Sequence, residues 1–121
     1  MIDPAFIEDV FARFGKITVR RMFGGQGIYA GDVMFALSDD EALYIKTDET
    51  MRAELAGQGS APFVFQRASK PITTGYWRLP DCALDDPAEA AGWAKRALAV
   101  ARAGRKPVKK KKSRSPGPKS D

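Results

Sequence analysis

The residues most suggestive of chemistry lie in "RRMFGGQGIYAGDVMFAL", positions 20–37, where two arginines precede three glycines. Residues 25–30, "GQGIYA", satisfy the G-x-G-x-x-G/A pattern, whose glycines let backbone approach a pyrophosphate held by a helix N-terminus. That chemistry needs a strand before the glycines and a helix after them. Here Gln26, Ile28 and Ala30 alternate with Gly27 and Tyr29 and run into Gly31-Asp32, a two-residue hairpin turn. No Walker A lysine and no kinase "HRD" or "DFG" accompanies them. A strand that bends, or that another backbone approaches closely, fits this context better than a nucleotide cradle. Alternation sets Gly25, Gly27 and Tyr29 on one face across from Ala36 and Ser38, a patch nearly bare of side chains.

Other chemistry is restricted by composition. Histidine is absent and Cys82 is the sole cysteine, which excludes Ser-His-Asp and Cys-His nucleophiles and the usual zinc sites. Cys82 then reads as a small buried or loop residue. "SDDE" at 38–41 is dense in carboxylates but lacks the spacing of a calcium loop, so it reads as a hairpin tip. Asp85-Asp86 is explained by helix capping. No catalytic, cofactor-binding or metal-binding residue is assigned; tyrosine, lysine or carboxylate catalysis in an unrecognised site is the alternative to a binding role.

The elements that must position these residues are well punctuated. Asp3 caps a first helix, with Pro4 at its first position, Gly15 as its stop and Ile2 and Ile7 at staple positions. Phe6, Ile7, Val10, Phe11 and Phe14 share its inward face. Three hairpin-connected strands follow, "GQGIYA", "VMFALS" and "ALYIK". A short helix comes next, capped by Asp48, with Met51 and Leu55 inward and Gly57 at its end. "FVFQR" and "GYWRLP" read as two further strands joined by "ASKPITT". Asp86, Pro87 and Glu89 open the last helix as a capping box. Ala90, Trp93, Ala94, Ala97 and Ala101 form its inward stripe, and Gly104 stops it. The order α-β-β-β-α-β-β-α predicts an α+β fold: a two-layer α/β sandwich with a five-stranded antiparallel sheet and its helices on one face.

"RRMFGGQGIYAGDVMFALSDDEALYIKTD", "PITTGYWRLPD" and "WAKRALAVARA" together resemble the N-terminal domain of the TfoX/Sxy competence-regulator family, over roughly residues 5–103. The resemblance implies an α-β(3)-α-β(2)-α fold like that of secretion chaperones. It also implies a regulatory role in DNA-uptake gene expression, without an established enzymatic activity for the domain. Full-length regulators of this kind carry a second, helical domain where this sequence has a short lysine-rich tail.

Charge divides the chain in two. Eight basic residues and one acidic residue lie beyond position 104, so a total of +5 leaves the first 104 residues at −2. We therefore expect a domain over 1–104 and a disordered tail over 105–121. Arg105, Lys106, Lys109, Lys110, Lys111, Lys112, Arg114 and Lys119 of that tail are candidates for non-specific nucleic-acid contact through phosphates. Within the domain, placing Ile28, Phe35, Leu43, Ile45, Trp77 and Leu79 toward the helices sends Tyr29, Met34, Tyr44, Lys46, Tyr76 and Arg78 to the other side. A two-layer domain leaves that side open. With Arg20 and Arg21 it forms a candidate surface for a protein partner or a second copy; a merely solvated sheet is the plainer alternative. No signal-peptide pattern opens the sequence and no membrane-length apolar run occurs, so a soluble, cytoplasmic protein is expected.

Overall fold

The computed structural model describes residues 2–22 and 24–105. Its elements are α1 (Pro4–Val10), β1 (Thr18–Met22), β2 (Gly25–Ala30), β3 (Val33–Ser38), β4 (Leu43–Lys46), α2 (Glu49–Gly57), β5 (Pro62–Arg67), β6 (Lys70–Arg78), α3 (Asp81–Leu84) and α4 (Pro87–Arg105). The strands form one antiparallel sheet in the order β1-β2-β3-β4-β6-β5.

Aspartates start three of the helices, because each carboxylate satisfies backbone N–H groups that the first turn leaves unpaired. Asp3 accepts from the amide of Ala5 at 2.9 Å, Asp48 from that of Met51 at 2.8 Å, and Asp86 from those of Ala88 and Glu89 at 3.1 and 3.3 Å. Glu89 does not close a capping box; its carboxylate accepts from the Trp93 indole Nε1 at 3.1 Å instead. The glycines expected to stop helices behave differently from one another. Gly15 has a φ of +135°, whereas α4 passes through Gly104 to Arg105, and after α2 the left-handed residue is Gly59 rather than Gly57.

The core lies between the sheet and the helices. Ile28, Ala36, Leu43 and Ile45 of the sheet meet Ile7, Phe11, Met51, Leu55 and the alanine stripe of α4, all buried. Small residues at Ala90, Ala94 and Ala97 let α4 lie close across β3 and β4. Phe35 fills the space toward α1, with its ring 5.4 Å from Phe11 and 5.0 Å from Phe14, centroid to centroid. Phe6 does not join them; α1 is only seven residues long, and Phe6 lies 43% exposed on its outer side.

The sheet has six strands where the sequence suggests five. The additional strand is β1, "TVRRM", an edge strand in which Val19 alone packs against the core. Its charged, mostly exposed residues leave no apolar alternation to read, as suits an edge that must not recruit another chain. β6 is also longer than expected. It begins at Lys70, across a two-residue turn in which Ala68 and Ser69 both have positive φ, so most of "ASKPITT" is strand. Such a turn matches strand twist but ordinarily uses Asn and Gly, so this pair gives no turn signal. The short α3 carries Cys82, which is exposed.

Candidate functional site

The sheet face away from the helices is where the candidate residues converge, and one irregularity decides who stands there. Pairing steps from Ile28↔Ala36 to Tyr29↔Met34, leaving Phe35 as an extra residue in β3. The bulge lets both Phe35 and Ala36 enter the core and moves Leu37 onto the open face, opposite Gly27 and Tyr44. Ser38 and Gln26 then turn inward as a buried pair, with the Ser38 hydroxyl donating to Gln26 Oε1 at 2.9 Å. The expectation that Gly25 and Gly27 face Ala36 and Ser38 across a bare patch is therefore corrected.

Each glycine has its own reason. A Cβ on Gly25 would overlap the backbone carbonyl of Ser38. A Cβ on Gly27 would meet the sulfur atoms of Met22 and Met34, at 2.8 and 2.9 Å, and the Tyr29 ring edge at 3.1 Å. The thioethers close over the space that Gly27 leaves. These glycines accommodate neighbouring protein atoms, in strand context.

Around this point the open face is aromatic and cationic. The Arg20 guanidinium lies 5.1 Å over the Tyr29 ring, and the Lys46 ammonium 5.0 Å over that of Tyr76. Such contacts hold long side chains flat against the sheet. Tyr44 packs against Phe63 at 4.9 Å, Phe63 stacks with Phe65 at 6.3 Å, and the Tyr44 hydroxyl donates to Asp39 at 3.2 Å. Asp39 also accepts from the amides of Glu41 and Ala42, so this carboxylate of "SDDE" serves the turn. Burial, then the charge of Asp39, raises the Tyr44 hydroxyl above the ordinary tyrosine range. Burial, then neighbouring Tyr29, does the same to Tyr76.

The face is concave. A groove of about 570 Å³ runs between the β2–β3 end of the sheet and the β5–β6 hairpin, walled by Met22, Leu37, Phe63, Phe65 and Tyr76 with Lys46 beside them. Tyr29, Met34, Tyr44, Lys46 and Tyr76 thus share one surface with Arg20. Arg78 stands at its margin, 3.6 Å from Asp81. Arg21 does not belong to it: paired with the inward Gln26, it points away from Arg20. Arg105 is the last residue of α4, and Lys106, Lys109, Lys110, Lys111, Lys112, Arg114 and Lys119 lie outside the described residues.

The TfoX N-terminal domain family model matches residues 9–101, nearly all of the region just described. The chain belongs to the TfoX N-terminal domain family. It is 26% identical over 117 residues to "DNA transformation protein TfoX1" of Aliivibrio fischeri (strain ATCC 700601 / ES114), a match covering 93% of this chain and 56% of that protein. The chain thus spans little more than half the length of this curated relative. In this TfoX N-terminal domain, sequence reasoning missed Met22, Leu37, Phe63, Phe65 and Arg52 as members of the open face and its rim. Alternation in "FVFQR" carries a readable signal for the two phenylalanines. Leu37 depends on the bulge, and Arg52 arrives from a helix, with no local signal.

Proposed function

We propose that this chain is a non-catalytic regulatory or adaptor domain in competence-type gene control, acting through protein contacts made by its open sheet face. The observation that carries the reading is the composition of that face: tyrosine, phenylalanine, methionine, arginine and lysine gathered on a concave surface that, among the described residues, no helix covers. Aromatic residues, methionine and arginine are enriched at protein interfaces relative to other surfaces. The family membership and the relative's name favour competence as the pathway.

A catalytic reading finds less support. A tyrosine acting as a base at neutral pH needs a lowered pKa, whereas Tyr44 and Tyr76 are both raised and stay protonated. These hydroxyls are suited to donate hydrogen bonds. A cytoplasmic location goes with the regulatory reading, and an exposed unpaired Cys82 suits a reducing compartment. The lysine-rich tail would add weak, salt-sensitive and sequence-independent affinity for nucleic acid, since lysines on a tether contact phosphates and read no bases. Truncation after Arg105 should then abolish that affinity and leave the folded domain unchanged.

Affinity capture from the native cell tests the central part. Tyr29→Ala combined with Phe65→Ser should remove the captured partner while the domain stays folded. Undiminished capture would mean that the sheet face is only solvated.

A further inference from the structure

Lys46 and Gly75 line one end of the groove, and Arg52 of α2 reaches the same glycine. A Cβ on Gly75 would lie 3.5 Å from Nη2 of Arg52 and 3.6 Å from Nζ of Lys46, so both heads converge on the space beside this strand glycine. Arg52 is held there by its own neighbours. Its Nε donates to Thr47 Oγ1 at 3.0 Å and its Nη2 to the Thr47 carbonyl at 3.1 Å, while the Thr47 hydroxyl donates to the Gly75 carbonyl at 2.7 Å. Thr47 is buried, so α2, the end of β4 and β6 are tied together at this point. Lys46 is steadied by the Tyr76 ring. Among the described residues, no carboxylate pairs with either head.

Two like charges brought together without a counter-charge repel each other, and an anion between them removes that cost. The guanidinium, fixed by Thr47, keeps donors for such an anion at little further loss of side-chain freedom. Beside the cations the groove walls are apolar, and about 570 Å³ lies within the roughly 300–1,000 Å³ of small-molecule sites. Positive charge at one end and an apolar trough along the rest is the complement of an amphipathic acid.

We propose that the groove binds a small amphipathic organic carboxylate, its charged end between Lys46 and Arg52 beside Gly75 and its apolar body against Leu37, Phe63, Phe65 and Tyr76. The binding itself does not depend on the protein-contact reading. If both hold, the ligand occupies the partner's surface, and carboxylate level sets how much of that surface is available.

The test uses the full chain, titrated with decanoate, 2-naphthoate and decanol by calorimetry and by amide chemical shifts. Both carboxylates should bind saturably, shifting Leu37, Gly75 and Tyr76, and more weakly as salt rises. Decanol should bind about tenfold less tightly than decanoate, the size of one charge-assisted hydrogen bond. Lys46→Met, which keeps an unbranched stem over Tyr76, should cost decanoate about as much and leave decanol unchanged. Arg52→Gln should act likewise, with its melting temperature measured beside it because Arg52 also holds Thr47. Absence of saturable carboxylate binding overturns the proposal, as does equal affinity for acid and alcohol, or a Lys46→Met chain that binds decanoate normally. Binding of an acidic, aromatic peptide without either carboxylate overturns it in favour of a protein partner alone.

Discussion

The two faces of this sheet are built from the same strands and meet opposite requirements. Toward the helices stand Ile28, Phe35, Ala36 and Ile45, each with no exposed surface, against alanines small enough to bring α4 close. On the other face, one residue along each strand, stand Tyr29, Leu37, Tyr44, Lys46 and Tyr76, most of them half-buried against one another and against cations. The first face is filled by shape, and its buried core carries no charge. The second combines apolar area with charge and leaves a trough open. Stability therefore resides largely on one side of the sheet, and the other is free to be used.

Phe35 gives the sharpest way to break this division. Phe35→Ala removes a fully buried ring from between Phe11 and Phe14 and should cost about 3–5 kcal/mol. Thermal unfolding should then occur roughly 15 °C lower or more. A drop of only a few degrees would mean that the helix-side core is not the main source of stability.

Next in size is a contrast between two glycines two residues apart. Gly25→Ala drives a methyl group into the Ser38 backbone, which cannot move without disturbing the β2–β3 pairing, at about 1–3 kcal/mol. Gly27→Ala meets only the flexible ends of Met22 and Met34 and an aromatic edge, and should cost less than about 1 kcal/mol. Denaturant unfolding of the two variants measures both. Equal costs would show that the thioethers over Gly27 are as rigid as backbone.

Much of the helix-facing side is legible in the sequence, because its signals are local. Asp3, Asp48 and Asp86 mark helix starts, Gly31-Asp32 marks the central hairpin, and period-two alternation separates Ile28 and Ile45 from Tyr29 and Tyr44. What escapes depends on contacts distant in sequence or on residues that give no pattern. β1 presents arginines to solvent, and its pairing with β2 is needed to reveal it as a strand. The β2–β3 bulge transfers Leu37 between faces without any change of residue type. Gly75 is an unremarkable strand glycine until Arg52 and Lys46 are brought beside it.

A small pH effect checks the outer surface of the helical layer. Arg96 donates to the Glu54 carboxylate at 2.9 and 2.6 Å and lies 4.9 Å over the Trp93 ring. The Arg96 hydrogen bond holds the Glu54 carboxyl below its ordinary range. A depressed carboxyl stabilises the fold above its unfolded pKa and loses that contribution as pH falls through the folded one. The stability difference between wild type and Glu54→Gln should stay constant through neutral pH and close as pH drops below about 4.5. A difference that persists at lower pH would place its origin in packing.

We propose the open face, not the helical one, as the contact surface. Photo-crosslinking in the native cell tests it most directly, with a photoreactive residue at Phe65 in one chain and at exposed Lys95 of α4 in another. If the open face makes the contact, position 65 gives a discrete protein adduct and position 95 gives none. Adducts from 95 alone, or the same adducts from both positions, would contradict it.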